Sequence, residues 1–213
     1  CHFARYIIST FDRQLVFRRN ECSKEDMLCV HSDASWADDG SRRSTGGIVI
    51  VYANNPVYAN SKRIPATSTS SGHAELQAAS LAAREICHYR KLSKVLNNSL
   101  DETATILFCD STSALAMAYN HPGSSKRTRH IEVCWFYLRE VILNGEMDVR
   151  FCPTAIQLAD GQTKGLSTST LVEHRRMLLD FMSSRLQRVH HYYIHNFGQD
   201  YMAGKKVELK NIS

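Results

Sequence analysis

Several carboxylates in this chain stand where separate strands and helices can bring side chains together. Asp33 closes the apolar run of residues 27–30 in MLCVHSDASWADD, and Asp110 closes a second apolar run, residues 105–109. Both runs have the length and composition of buried strands. A lone aspartate after a strand is ordinarily a turn former or a helix cap. The recurrence of the same arrangement instead favours a shared acidic site.

Two further carboxylates lie near predicted helix starts. Glu75 falls in the first turn of a helix that a serine at position 70 or 71 can cap. Asp160 follows Pro153, where a strand should end, and Thr154 with Gln157 has the spacing of a capping box. The pattern therefore predicts a last helix that begins near residue 154 and carries Asp160 one to two turns in.

Convergence of Asp33, Glu75, Asp110 and Asp160 would place up to four negative charges in one small volume. Repulsion between these like charges would raise their pKa values unless cations occupy the site. Mg²⁺ or Mn²⁺, which prefer oxygen ligands, are the expected occupants. Two such ions about 4 Å apart can activate a water and stabilise a leaving oxygen, which is the chemistry of phosphodiester hydrolysis.

Six short motifs in one order resemble a known family. They are DASWADD, RRSTGG, SSGHAEL, FCDSTSALAMA, KRTRHIEV and PTAIQLADGQTK. Together they resemble the ribonuclease H domain that ends the Pol polyprotein of copia-type retrotransposons. Residues 4–17, ARYIISTFDRQLVF, resemble the segment that connects the reverse transcriptase domain to ribonuclease H.

The resemblance implies a metal-dependent endonuclease that cuts the RNA strand of RNA–DNA hybrids during reverse transcription. It assigns two ions, Mg²⁺ or Mn²⁺, to the four carboxylates, with Asp33 contacting both, Glu75 and Asp110 holding one, and Asp160 completing the other. The implied partners are the hybrid and the reverse transcriptase domain of the same polyprotein. No membrane and no small-molecule cofactor are expected.

The chain departs from the family pattern beside the predicted site. Residues 152–159 contain no histidine, Ser111 stands where asparagine is common, and Gly161 lowers helix propensity next to Asp160. Two alternatives therefore stay open. One is a catalytically inactive ribonuclease H fold that binds hybrid or partner proteins, and the other is a different nuclease of the same fold.

Basic clusters and small hydroxyl residues flank the predicted site. They suit a phosphate backbone or a 2′-hydroxyl, although solvated surface charge or a tight bend explains each cluster nearly as well. The predicted nucleic-acid contacts are Arg43, Ser44, Thr45, Ser111, Lys126, Arg127, Arg129 and His130. For Trp36 the pattern favours core packing over stacking.

The 213 residues, 43% hydrophobic and 22% charged, fit one globular domain with additional segments. The expected division is a connection remnant at 1–26, a ribonuclease H-like domain at 27–187 and a basic, aromatic tail at 188–213. The first residue is a cysteine, which suggests an excised piece of a polyprotein. Seven scattered cysteines indicate a reducing compartment, and no apolar run is long enough for a bilayer. We expect a soluble protein inside a retrotransposon particle in the cytoplasm.

The expected fold class is α/β, a ribonuclease H-like mixed five-stranded sheet with three antiparallel and then parallel strands, flanked by helices. Strands are predicted at 27–33, 46–53, 57–62, 105–109 and 147–151, with a hairpin turn at 54–56. Helices are predicted at 71–96, 111–119, 130–143, from about 154, and at 171–186. Strands followed by strand–helix alternation produce such a mixed sheet.

Overall fold

The computed structural model describes residues 27–37, 42–65, 67–96, 100, 103–119 and 129–179, together with residues 4, 8, 10, 11 and 17. Its centre is a five-stranded sheet in the order β3-β2-β1-β4-β5. The strands are β1 (Leu28–Ser35), β2 (Thr45–Tyr52), β3 (Asn55–Arg63), β4 (Thr105–Cys109) and β5 (Met147–Phe151). The first three strands pair antiparallel, and β4 and β5 run parallel to β1. This arrangement confirms the predicted fold class.

The helices flank this sheet. They are α1 (Ser71–Val95), α2 (Thr112–Tyr119), α3 (Arg129–Leu143), α4 (Asp160–Thr163) and α5 (Thr168–Leu179). The hydroxyl of Ser70 accepts a hydrogen bond from the His73 amide at 3.2 Å and so caps α1, as predicted. Gly145, with φ of 70°, terminates α3 in the left-handed conformation that glycine adopts without strain. None of the helices in these ranges combines the length and hydropathy that a membrane span requires.

The main core lies between the sheet and α1, α2 and α3. Val30, Ile50, Leu76, Leu107 and Trp135 are all at most 1% exposed within it. Alanines along α1 let that helix approach the strands closely, which explains why a small-residue run forms this face. Every residue of β1 is buried, because α1 covers one face of the sheet and the residues around α4 cover the other.

The cysteines that fall in or beside strands behave as small apolar residues, as predicted. Cys29, Cys109 and Cys152 are at most 1% exposed, and all three are free thiols. They fill positions in the core.

The predicted hairpin turn at 54–56 begins one residue too late and ends two residues too late. Ala53 and Asn54 form the turn, with φ of 46° and 62°, the backbone geometry that a two-residue hairpin loop requires. Asn55 and Pro56 already belong to β3. Proline is tolerated there because β3 is an edge strand and its pairing with β2 shifts register at that point.

The predicted helix start at residue 154 is also wrong. Residues Thr154–Ile156 form a single 3-10 turn, and α4 begins only at Asp160. No side chain caps the 3-10 turn, so the capping box of Thr154 and Gln157 does not form. Instead, the Thr154 hydroxyl donates to Asp110, and the Gln157 side chain donates to the Ser32 carbonyl of β1.

The apolar stripe predicted for α1 holds only for its first part. Ala78, Ala82 and Ile86 are buried, whereas Leu92 and Leu96 are 45% and 67% exposed. For the last helix, α5 begins at Thr168, and residues 180–186 lie outside the described residues. The same holds for the predicted tail at 188–213 and for most of the segment 1–26.

Candidate active site

Asp33 lies at the carboxyl-terminal part of β1 and is fully buried. Its neighbour across the sheet is Gly47, where an added Cβ would lie 2.8 Å from the Ala159 carbonyl oxygen and equally close to the Gln162 and Thr163 side chains. Glycine at this position therefore allows α4 to lie directly against the sheet. The Thr163 hydroxyl reaches Asp33 from there and donates a hydrogen bond to Oδ2.

Asp110 and Glu75 approach the same end of the sheet from β4 and α1. Asp110 follows β4, which is parallel to β1, so the carboxyl ends of the two strands meet. The Thr154 hydroxyl donates to Asp110 Oδ2 at 2.9 Å. Glu75 accepts a hydrogen bond from the Ala34 amide. Potential ligand atoms of Glu75, Cys109 and Asp110 all lie within 4.8 Å of one another.

Asp160 completes the group from the start of α4, where it is 6% exposed. The ammonium of Lys164, one turn later, lies 2.6 Å from Asp160 Oδ1 and 3.5 Å from Asp33 Oδ1. The structure thus brings together the four predicted carboxylates. Lys164 was not predicted, although its i,i+4 spacing from Asp160 is the sequence signal of such an ion pair.

Burial and mutual repulsion govern the charges in this cluster. Burial, followed by the charges of Asp33 and Asp110, raises the pKa of Glu75 to about 9. Burial also raises the pKa of Asp33, against the hydrogen bond from Thr163 and the charge of Lys164. Burial alone would lower the pKa of Lys164, but its contact with Asp160 and the nearby charges raise that pKa. The ammonium therefore stays charged and offsets part of the negative cluster.

The donor set fits a hard divalent cation. All four acidic side chains offer oxygen atoms, the ligands that Mg²⁺ and Mn²⁺ prefer. Glu75 Oε2 is buried, with no hydrogen-bond partner among the described residues, so one oxygen is left for a ligand of another kind. Burial raises the pKa of the Cys109 thiol well above its ordinary range, which keeps the sulfur protonated and a poor metal ligand.

Gln157 attaches the segment that carries Asp160 to the central strands. It is fully buried, and its Oε1 accepts from His31 Nδ1 at 2.9 Å. Its Nε2 donates to the Ser32 carbonyl at 3.0 Å and to the Phe108 carbonyl at 3.4 Å. The pattern in the sequence did not identify this role, because the partners lie between 49 and 126 residues away.

The predicted nucleic-acid contacts near β2 divide into exposed and buried side chains. Arg43 is exposed and Thr45 is half-buried, so both side chains reach the surface. Ser44 is fully buried and donates to the Ser68 hydroxyl at 3.1 Å, which leaves its side chain unavailable to a nucleic acid. Ser111 is half-buried, and its hydroxyl accepts from the Ala114 amide to cap α2.

The predicted contacts around the start of α3 are less fully described. Arg129 and His130 form the first residues of α3, but their side chains lie outside the described part of the structure. Lys126 and Arg127 also lie outside it. These four residues remain predictions.

The core packing predicted for Trp36 is wrong. The side chain is 48% exposed just beyond the end of β1, and its Nε1 donates to the Ser68 carbonyl at 3.1 Å. The apolar character of tryptophan suggested burial, but the strand ends at Ser35 and the ring turns to the surface.

The chain is similar in sequence to Pol polyproteins of transposons. No protein-family model matches the chain. The retrovirus-related Pol polyprotein from transposon RE2 of Arabidopsis thaliana is 27% identical over 164 residues, which cover 76% of this chain and 11% of that polyprotein. The corresponding polyprotein from transposon TNT 1-94 of Nicotiana tabacum is 27% identical over 141 residues, 66% of this chain and 10% of the relative.

The chain thus spans about a tenth of the length of the curated relatives it matches. Among solved structures, the N-terminal RNase H domain of a Mycobacterium tuberculosis protein superposes with a TM-score of 0.48 at 10% identity, covering 70% of this chain and 96% of that one. The predicted similarity to transposon Pol polyproteins is therefore confirmed by sequence, and the observed sheet has the strand order and directions of the predicted ribonuclease H-like fold.

Proposed function

We propose that this chain is a divalent-metal-dependent endonuclease that hydrolyses the RNA strand of RNA–DNA hybrids as part of a retrotransposon Pol polyprotein. The observation that carries the proposal is the convergence of four carboxylates from β1, α1, the end of β4 and α4. Isolated buried carboxylates cost free energy unless they are paired, protonated or bound to a cation. A cluster of this kind is best accounted for as a cation site.

The proposed ligands are Asp33, Glu75, Asp110 and Asp160. Asp33 would contribute to both ion positions, Glu75 and Asp110 would hold one ion, and Asp160 would complete the other position. When bound, Mg²⁺ or Mn²⁺ would supply an activated water for attack on the phosphate and stabilise the leaving 3′ oxygen.

The other residues of the site orient the carboxylates. Thr154 and Thr163 each donate one hydrogen bond, to Asp110 Oδ2 and Asp33 Oδ2 respectively. Asp110 Oδ1 is then available as a ligand, whereas an ion at Asp33 Oδ1 would compete with the Lys164 ammonium 3.5 Å away. Lys164 holds Asp160 towards Asp33 and lowers the repulsion between them. Since the Lys164 side chain is 41% exposed, its ammonium also lies within reach of an incoming phosphate.

The substrate proposal rests on charge and on the resemblance to the Pol polyproteins. Arg43 and Lys62 are exposed at the same end of the sheet and suit phosphate contacts. The 2′-hydroxyl distinguishes RNA from DNA in a hybrid, whose wide minor groove displays it. The reverse transcriptase domain of the same polyprotein is the proposed partner, and a reducing, particle-associated environment is the proposed location. The proposed organisation is a connection remnant at 1–26, the nuclease domain at 27–187 and a tail at 188–213.

The test is cleavage of a hybrid labelled on each strand. We expect the purified chain to cut only the RNA strand in Mg²⁺ or Mn²⁺. Asp110→Asn should lower the rate at least about 100-fold, because even changes in residues behind metal ligands cost 10- to 100-fold. Glu173→Gln is the matched control, since Glu173 is an exposed carboxylate on α5 that pairs with Arg176. Its cleavage rate should equal that of the wild type.

Each contrary result points to a different reading. Cleavage that persists in excess chelator would overturn the metal mechanism. Hybrid binding without cleavage by the wild-type chain would favour an inactive domain, in which Lys164 serves as a permanent counter-ion. Cleavage of duplex DNA in preference to the hybrid would favour another nuclease of the same fold.

A further inference from the structure

Trp36 presents an immobilised aromatic ring to solvent beside the carboxylate cluster. Its side chain is 48% exposed, yet its Nε1 donates a hydrogen bond to the Ser68 carbonyl at 3.1 Å. A large apolar side chain at the surface is ordinarily free to change rotamer. Here the hydrogen bond fixes the indole plane and leaves part of the ring uncovered.

The residue that anchors Trp36 is itself held by buried hydrogen bonds. The Ser68 hydroxyl donates to Gln77 Oε1 at 2.6 Å and accepts from the Ser44 hydroxyl at 3.1 Å. Gln77 lies on α1 only two residues after Glu75, and its side chain is buried. The ring is therefore coupled through a rigid network to the helix that supplies one of the carboxylates.

The backbone of Trp36 also lies at a short distance from the proposed reaction centre. Trp36 is the first residue after β1 and follows Asp33 by three residues, so their Cα atoms are at most about 10 Å apart at the strand rise of about 3.3 Å per residue. Successive phosphates of one strand advance about 3.4 Å along the helix axis. The separation corresponds to about three nucleotides of a bound strand.

Cationic side chains flank the same surface. Lys62 pairs with Gly46 across β3 and β2, and Gly46 pairs with Ala34 of β1, so Lys62 lies at the same end of the sheet as Trp36, two strands or about 10 Å from β1. Lys62 and Arg43 are both exposed. An exposed aromatic ring at the same end of a sheet as exposed cations and a carboxylate cluster is a combination that nucleic-acid surfaces use.

We propose that the exposed face of Trp36 packs against a sugar of the hybrid in its minor groove, a contact that rests on the proposed function. Base faces inside a duplex are covered by their neighbours, so a fixed ring at the surface meets the apolar faces of sugars instead. The wide, shallow minor groove of an A-like hybrid displays those sugars, whereas its major groove is too deep and narrow to admit an indole. Trp36 is thus a substrate-binding residue beyond the four carboxylates.

The chain provides its own spectroscopic control for this contact. It has two tryptophans, and the second, Trp135, is 1% exposed in the core. Quenching by neutral acrylamide therefore reports mainly on Trp36. We expect a short RNA–DNA hybrid, added in chelator so that no cleavage occurs, to protect the emission from quenching. In Trp36→Phe, which leaves only Trp135, the hybrid should change quenching little.

Affinity is measured in parallel by the anisotropy of a labelled hybrid. Trp36→Ala should weaken binding about 10-fold, towards the lower end of aromatic–nucleotide contacts, and Trp36→Phe should lose less because it keeps a ring. Val95→Ala is the matched control. Val95 is 78% exposed, and it lies 20 residues beyond Glu75 on α1, about 30 Å away at the helical rise. The affinity of Val95→Ala for the hybrid should equal that of the wild type. Circular dichroism establishes that each variant is folded.

The outcomes separate the contact from the function. If the hybrid binds the wild type but Trp36 stays as accessible to acrylamide as in the free protein, and Trp36→Ala binds as tightly, the contact is overturned. Protection by single-stranded DNA but not by the hybrid would overturn the minor-groove assignment. If the hybrid does not bind the wild type at all, the proposed function fails first, and this contact fails with it.

Discussion

Lys164→Met tests whether the carboxylate cluster depends on an internal counter-ion. The ammonium lies 2.6 Å from Asp160 Oδ1 and 3.5 Å from Asp33 Oδ1. At 2.6 Å the attraction is about 1.6 kcal/mol at the dielectric constant of water and about 6 kcal/mol at an effective value of about 20. The side chain is 41% exposed, so solvent screening reduces the higher figure. Exposed pairs contribute up to about 1 kcal/mol and breaking buried pairs costs about 3–5 kcal/mol, which sets our expectation at about 2 kcal/mol.

The assay is thermal and urea unfolding in chelator, followed by titration with Mn²⁺. A loss of about 2 kcal/mol should lower Tm by about 4–8 °C for a chain of this size. If Mn²⁺ competes with the ammonium for the same carboxylates, the variant should bind the ion up to about 30-fold more tightly, the ratio that about 2 kcal/mol represents. The Mn²⁺-induced rise in Tm should then be larger in the variant than in the wild type.

Two controls separate this effect from a general loss of charge. Lys164→Arg keeps the cation and should stay close to the wild type in chelator. Lys62→Met removes an exposed lysine from β3 and should change stability by less than about 0.5 kcal/mol. The reasoning is refuted if Lys164→Met unfolds like the wild type in chelator and binds Mn²⁺ with the same affinity.

Two further predictions concern groups that the carboxylates depend on. Because the pKa of Glu75 rises from 4.5 to about 9 on folding, the folded chain holds more protons than the unfolded chain between those values. The free energy of unfolding in chelator should therefore fall as pH rises from about 5 to 9, and Glu75→Gln should remove most of that fall, as urea titrations at several pH values will establish. Gln157→Leu removes the hydrogen bonds of Gln157 to His31 Nδ1 and to the Ser32 carbonyl, so it should cost about 2–4 kcal/mol by the same titrations and weaken Mn²⁺ binding by displacing Asp160. Unchanged Mn²⁺ affinity would show that Gln157 does not position the site.

Elements whose signals are local could be predicted from the sequence. A serine cap and a run of small and apolar residues specify the start of α1, and a glycine with positive φ marks the end of α3. The first three residues of β1, 28–30, and residues 106–109 of β4 are continuous apolar runs, because both faces of these strands are covered. These strands and helix ends were therefore predicted from periodicity, capping and composition, whereas the order of the strands in the sheet was predicted from the resemblance.

Contacts between distant segments could not be predicted in the same way. The small residues that open β2 read as a tight bend or as nucleic-acid contacts, whereas the structure uses Gly47 of this segment to admit α4 against β2. The hydrogen bond from Thr163 to Asp33 joins residues 130 positions apart, for which the sequence has no periodic signal. Trp36 is a further example, since apolar character does not specify whether a ring just beyond a strand end packs into the core or faces solvent.

The segment from Thr154 to Lys164 shows why the carboxylates alone do not define this site. Its side chains point into the site at intervals of about three residues: Thr154 donates to Asp110, Gln157 binds the backbone of β1, and Thr163 donates to Asp33. The same segment carries Asp160 itself. One short stretch therefore orients three of the four carboxylates, although it contains only one of them. Because the 3-10 turn and the four-residue α4 have few hydrogen bonds of their own, these side-chain contacts hold the segment in place. A substitution there can weaken a cation site whose acidic residues are all intact, which is how divergence in this segment would inactivate such a domain while its fold survives.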